Sequence, residues 1–225
     1  MEIIEVKNKE EGAKIAFELL KKIVNKETVM FLSGGSSPKD LYKLISNDKS
    51  HSVSPLAFCT VDERWGSPGH KDSNELMIEQ TGLYKYAAGA CGAAGIEVHK
   101  ILGGILNRNE TANRYNVVLE GVLARAESSV TIMGIGVDGH TAGIAPGIKL
   151  GAKSLVEDYS HVASDWQYPE RITLTPKALE IIEKHIILAY GEEKLLALRA
   201  LIKGNNENYS RLEGAVYLIT DQKLI

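Results

Sequence analysis

Cysteine is scarce in this chain. The two present, Cys59 and Cys91, lie far apart and in no Cys-x-x-Cys pattern, which excludes a disulfide framework. No His/Cys/Glu spacing resembles a zinc site, so no metal is expected. No apolar run approaches about 18 residues, which leaves no helical membrane span. Positive charge is in slight deficit, with 26 Lys and Arg against 29 Asp and Glu and a net charge of −3. A general nucleic-acid or membrane-surface binder shows the opposite balance. The first residues lack the basic region and apolar stretch of a secretory signal, so the sequence predicts a cytoplasmic protein. Gly-x-Ser-x-Gly is absent, which argues against a serine-hydrolase elbow. The Gly-Lys-Ser/Thr of a P-loop is absent too. No feature calls for an obligate protein partner.

What is there is ordinary for a globular protein: 225 residues, 44% hydrophobic and 24% charged. That length fits one large α/β domain or two small ones. With no internal repeat and no low-complexity linker, residues 1–225 read as a single domain. Helical spacing of apolar residues marks 10–25, 39–45, 74–84, 111–124, 176–184 and 192–203. Short apolar runs mark strands at 28–32, 56–61, 96–101, 130–133, 171–175, 185–190 and 215–220. Cys59 sits inside one of them, as a small core residue does. Pro146, Gly147 and Gly151 make the region after His140 irregular, and the Ala/Gly-rich stretch 86–95 has no clear assignment. Strands alternating with helices predict an α/β fold: a mostly parallel, Rossmann-like sheet with helices on both faces. Ligands of such sheets bind beyond the carboxyl ends of the strands.

Three segments fall at such ends. The first, Ser33-Gly34-Gly35-Ser36-Ser37-Pro38, joins a strand to a helix. Glycine N–H groups, serine hydroxyls and the helix N-terminus suit an anion, with Ser37 as N-cap and Pro38 at the first helical position. Taken alone, the loop serves equally as a plain capped turn. The second, Asp62-Glu63-Arg64, is a charge cluster that could also be a solvated loop. The third, Gly134-Ile135-Gly136-Val137-Asp138-Gly139-His140-Thr141, places an Asp and a His two residues apart after a strand. It matches Gly-x-Gly-x-x-Gly literally. However, Pro146 and Gly147 interrupt the helix that a dinucleotide fingerprint requires, and Asp138 would put a carboxylate beside the phosphates. Histidine is the side chain poised for proton transfer near neutral pH, and Asp138 could orient it or stabilise its cation. Lys194, after Gly191, could reach an anion held over the sheet or lie on the surface. Arg171, opening a strand, could support a pocket or be structural.

Together these segments, with Ser73-Asn74, Arg171-Ile172-Thr173-Leu174-Thr175 and Gly191-Glu192-Glu193-Lys194, occur in the order seen in 6-phosphogluconolactonases. The chain resembles that family over roughly 9–220. The family is related to the glucosamine-6-phosphate deaminases. In those a Tyr follows Asp-Glu where this chain has Arg64. They also carry a Glu five residues after the histidine, where this chain has Ala145. Where lactonases often read Ser-Leu-Phe-Pro, this chain reads Gly143-Ile144-Ala145-Pro146.

The resemblance implies hydrolysis of 6-phospho-D-glucono-1,5-lactone, a small sugar phosphate lactone, in the pentose phosphate pathway. It implies His140 as base and Asp138 as its orienting partner. Gly34, Gly35, Ser36, Ser37, Arg64 and Lys194 would hold the phosphate, with Asp62 and Arg171 in support. The scheme needs no metal or organic cofactor. The alternatives are a deaminase/isomerase-like enzyme using Asp62 as base, and a non-catalytic sugar-phosphate-binding protein.

Overall fold

A computed structural model describes residues 1–89, 95–104, 107–151, 153–161, 168–206, 209 and 212–224. Cys91 with the rest of 90–94 in the Ala/Gly-rich stretch, and residues 152 and 162–167 in the region after His140, lie outside the described residues.

The elements in chain order are β1 (Glu2–Glu5), α1 (Lys9–Ile23), β2 (Thr28–Leu32), α2 (Lys39–Asn47), β3 (Ala57–Thr60) and β4 (Asp62–Arg64). Next come α3 (Asn74–Gln80), α4 (Leu83–Ala88), β5 (Glu97–His99), α5 (Arg108–Leu123), β6 (Ser128–Gly134) and β7 (Val156–Ser160). The chain continues with β8 (Glu170–Leu174), α6 (Pro176–Ile181), β9 (Lys184–Ala189), a 3-10 turn (Glu192–Lys194), α7 (Leu195–Ile202) and β10 (Ala215–Thr220).

Seven strands form one parallel sheet in the order β1-β10-β9-β6-β2-β3-β5. Its central strands are apolar on both faces because helices cover both. In β2, Met30 and Leu32 enter one core with Leu20, Leu41, Tyr42 and Ile78. Val29 and Phe31, pointing the other way, enter a second core with Tyr115, Leu119, Ile172 and Leu198. The mostly parallel α/β architecture expected from the sequence is the one observed.

A second sheet, β4-β8-β7, is antiparallel. It takes in Asp62–Arg64, which the sequence reads as a charge cluster at the end of the 56–61 strand, and the 171–175 strand. The expected 74–84 helix breaks into α3 and α4 at Gly82, whose φ is +87°. The expected 192–203 helix opens as a 3-10 turn. Thr175 caps α6, accepting from Ala178 N, with Pro176 in the first turn. Ser37 does not cap α2: Pro38 occupies the cap position without a side-chain hydrogen bond, and the Ser37 hydroxyl is engaged by Lys194 instead.

Candidate active site

Strands β9, β6 and β2 are neighbours at the centre of the parallel sheet. The loops leaving their carboxyl ends are 190–194, 134–140 and 33–38; the last two are among the three segments picked from the sequence, and the first carries Lys194. They meet around a cavity of about 290 Å³ lined by Gly34, Gly35, Ser36, Ser37, Asp62, Arg64, Asn74, Gly136, His140, Arg171 and Lys194 among others. Asp138 stands behind His140 and lines a neighbouring hollow with Val137, Leu196 and Asn206.

The His140 wall is built by a glycine turn. Gly136 N donates to His140 O at 2.9 Å, and Gly139, at φ +87°, donates to Gly136 O at 3.0 Å. Asn206 and Tyr209 brace it by donating to Gly139 O at 2.9 Å and Gly134 O at 2.7 Å. A Cβ on Gly136 would collide with the His140 ring and the Asp138 carboxylate, so only glycine admits them here. Asp138 Oδ1 lies 2.6 Å from His140 Nδ1 and accepts from His140 N at 3.1 Å. A proton on Nδ1 satisfies that contact and leaves Nε2 with a lone pair.

The opposite wall comes from the antiparallel sheet. Alternation along β4 sends Asp62 and Arg64 to the cavity and Glu63 away from it. Arg64 faces Arg171 across the strand pair. Asp62 Oδ2 accepts from Arg171 Nη1 at 3.4 Å and from Asn74 Nδ2 at 3.1 Å, and Asn74 Nδ2 also reaches Asp62 O at 2.8 Å. Burial, together with the neighbouring Arg64 charge, lowers the Arg171 pKa, while Asp62 opposes that shift. Arg64 Nη1 donates to Asp72 O at 2.7 Å, and its guanidinium lies 5.0 Å from the centre of the Tyr168 ring.

Glu63, fully buried behind this wall, accepts from Arg64 N, Asn74 N, Glu75 N and Ser73 Oγ at 2.7–2.8 Å. It thereby ties β4 to the start of α3. Burial raises its pKa and those four donors oppose the rise. Lys194 Nζ donates to Ser37 Oγ at 3.1 Å. Burial lowers its pKa, and Glu193 and Asp221 partly restore it.

Three buried polar atoms at this cavity have no protein partner among the described residues: Ser33 Oγ, Arg64 Nε and Asn74 Oδ1. Buried polar groups are almost always satisfied, so their clustering at one cavity makes it the candidate site. The site residues picked from the sequence are therefore brought together. Asn74 is missed by reasoning from single residues. Its signal is the Ser73 cap, which places Asn74 at the first position of a helix that begins beside Asp62.

The family model for "Glucosamine-6-phosphate isomerases/6-phosphogluconolactonase" matches residues 9–219. A 6-phosphogluconolactonase of Xylella fastidiosa is 30% identical over 180 residues, covering 77% of this chain and 71% of the relative. A glucosamine-6-phosphate deaminase of Streptococcus pneumoniae is 28% identical over 216 residues, covering 91% and 87%. In fold, the crystal structure of 6-phosphogluconolactonase from Leishmania guyanensis matches with a TM-score of 0.78 at 21% identity, covering 97% of this chain and 95% of that one. The chain belongs to the glucosamine-6-phosphate isomerase/6-phosphogluconolactonase family.

Proposed function

We propose that this protein hydrolyses 6-phospho-D-glucono-1,5-lactone to 6-phospho-D-gluconate. The observation that carries the reading is one cavity with a carboxylate-backed imidazole on one wall and three cationic side chains around it, Arg64, Arg171 and Lys194. The substrate has the matching polarity, with a phosphate at one end and an electrophilic ester carbonyl at the other.

In this reading the 33–37 loop, Arg64 and Lys194 hold the phosphate. Charge-assisted hydrogen bonds of this kind contribute about 1.5–3 kcal/mol each. That binding energy, remote from the carbonyl, orients the lactone for attack. Nε2 of neutral His140 takes a proton from water as its oxygen bonds to the carbonyl carbon. The tetrahedral oxyanion then collapses, the bond from that carbon to the ring oxygen breaks, and His140 returns the proton to the departing alkoxide. Asp138 stabilises the imidazolium in between, and the new carboxylic acid ionises to release one proton. Asp62 and Arg171 support the cationic wall.

The deaminase relative keeps a second reading open, in which Asp62 is the base. Two features weigh against it: the buried methyl of Ala145 stands where the related deaminases carry a carboxylate, and Arg64 stands in place of their tyrosine. The deciding experiment supplies freshly generated lactone to the purified protein, subtracts spontaneous opening, and measures acid release. A parallel assay follows ammonia from glucosamine 6-phosphate. Acceleration of lactone opening without ammonia release is expected. Ammonia release without lactone opening would move the assignment to the deaminases, and ligand binding with neither activity would make the protein a sugar-phosphate binder.

A further inference from the structure

His140 leaves its glycine turn directly into a second tight turn. Ile144 N donates to Thr141 O at 2.8 Å, and Ala142 sits at φ +50°. A residue with a Cβ is disfavoured in that left-handed region and stays there only where its surroundings over-determine it. Residues 141–145 are all buried, so their backbone polar groups must find partners inside the protein. The antiparallel sheet supplies them. Thr173 Oγ1 on β8 accepts from Gly143 N at 2.9 Å. The Tyr159 hydroxyl on β7 donates to Gly143 O and accepts from Ala145 N at 3.1 Å.

The strand register gives this contact its meaning. Tyr159 pairs with Arg171, and Arg171 pairs with Arg64. The rung that carries two cations of the cavity therefore also carries the phenol that grips the turn after His140. Gly136 fixes the histidine from its N-terminal side through the His140 carbonyl. The Tyr159 hydroxyl is a fixed point on its C-terminal side.

We propose that Tyr159 is a positioning residue for His140. It ties the 141–145 turn to the antiparallel sheet and so sets the imidazole at its working distance from Arg64 and Arg171. The kinetic part of this inference rests on the lactonase reading; its structural part does not.

The test is Tyr159→Phe, which deletes one oxygen and leaves every residue lining the cavity unchanged. The ring stays but Gly143 O and Ala145 N lose their partner, so the melting temperature falls by a few degrees while the variant remains folded. With the base misplaced but the phosphate wall intact, kcat falls by about tenfold to a hundredfold, while KM stays within about twofold of the parent. A tyrosine serving stability alone would show the same fall in melting temperature and leave kcat per folded molecule unchanged. A second readout needs no turnover: the imidazole 15N resonances of His140, assigned by their loss in His140→Asn, shift or broaden in the phenylalanine variant.

If the parent opens no lactone, the lactonase reading fails and the resonances still decide the role of Tyr159. Unmoved His140 resonances in folded Tyr159→Phe overturn the proposal, as does an unmoved kcat where the parent is active. Should that variant not fold, Thr173→Val removes the neighbouring acceptor of Gly143 N and must show the same split. An unchanged Thr173→Val then overturns the proposal.

Discussion

The two walls of the cavity are built in opposite ways. Asp138 and His140 are two residues apart, lie on one glycine turn, and have side chains 30% and 35% exposed. Asp62 and Arg171 are 109 residues apart, meet only because β4 pairs with β8, and are 5% and 8% exposed. A pair on an exposed turn can be altered without touching the core, so its loss should register in the chemistry. An ion pair sunk between sheets is bound up with folding, because removing one partner strands a charge away from water. The fold thus separates its half-exposed imidazole–carboxylate pair from its buried charges while placing both at one cavity.

The sharpest way to break that comparison is to alter each wall in turn. His140→Ala should lower lactone turnover by about 10²–10⁴ in kcat, the usual worth of general-base help. Its thermal midpoint should stay near the parent's; a large drop in that midpoint would place the turn among the stabilising elements and dissolve the contrast. Arg171→Met removes the cation beside Asp62 and should destabilise the fold by about 3–5 kcal/mol in chemical denaturation. A parental denaturation midpoint for this variant would mean that Asn74 alone suffices to keep Asp62 buried.

The same contrast explains what the sequence made legible. The parallel sheet was readable because strands buried on both faces are continuous apolar runs, as in Val29 to Leu32 or Val130 to Met133. The glycine turn was readable because its whole geometry lies within eight residues. The antiparallel sheet was readable only in β8, as the 171–175 run. Its strand β7 reads Val156-Glu157-Asp158-Tyr159-Ser160, mostly half-buried and polar, and β4 is entirely charged. Such segments become strands only through their partners, and those partners are far along the chain. For that reason Asp62, Arg64 and Arg171 could be picked out as charged residues at strand ends, while their cross-strand rung, the Asn74 contact and the Tyr159 grip could not. Ser37 shows the same limit in miniature. Its local context suits a helix cap, but Lys194, 157 residues away, takes its hydroxyl.

A smaller effect sharpens the picture within the binding residues. Arg64→Ala and Lys194→Ala each remove one charged donor facing the cavity. Each should raise KM by about tenfold to a hundredfold, the equivalent of about 1.5–3 kcal/mol, with kcat much less affected. Steady-state kinetics on the lactone check this. A fall in kcat at constant KM for either variant would reassign it from holding the phosphate to the transition state.

The mildest perturbation reaches the buried wall from behind. Glu75 sits beside Glu63 under β4, accepting from Thr60 Oγ1 at 3.3 Å and from Ile101 N. Burial, with the Glu63 charge adding to it, raises its pKa from 4.5 to about 7. Between those values the folded protein holds a proton that the unfolded chain has lost. Glu75 therefore favours the fold fully below pH 4.5, and this contribution is lost as the pH rises to about 7. Its slope is at most about 1.4 kcal/mol per pH unit. His185, buried in the parallel sheet, acts with the opposite sign because burial lowers its pKa from 6.5 to about 4, so its contribution is lost as the pH falls through that range. The parental profile sums both. The informative quantity is the difference between Glu75→Gln and the parent in denaturation midpoints across pH 4.5–7. Glutamine keeps an acceptor for Thr60 and Ile101 without the charge, so the variant should gain on the parent steadily as the pH rises through that window. A difference that stays flat would mean that Glu75 is already ionised at low pH, and that the wall carrying Asp62 and Arg64 owes no pH dependence to it across that window.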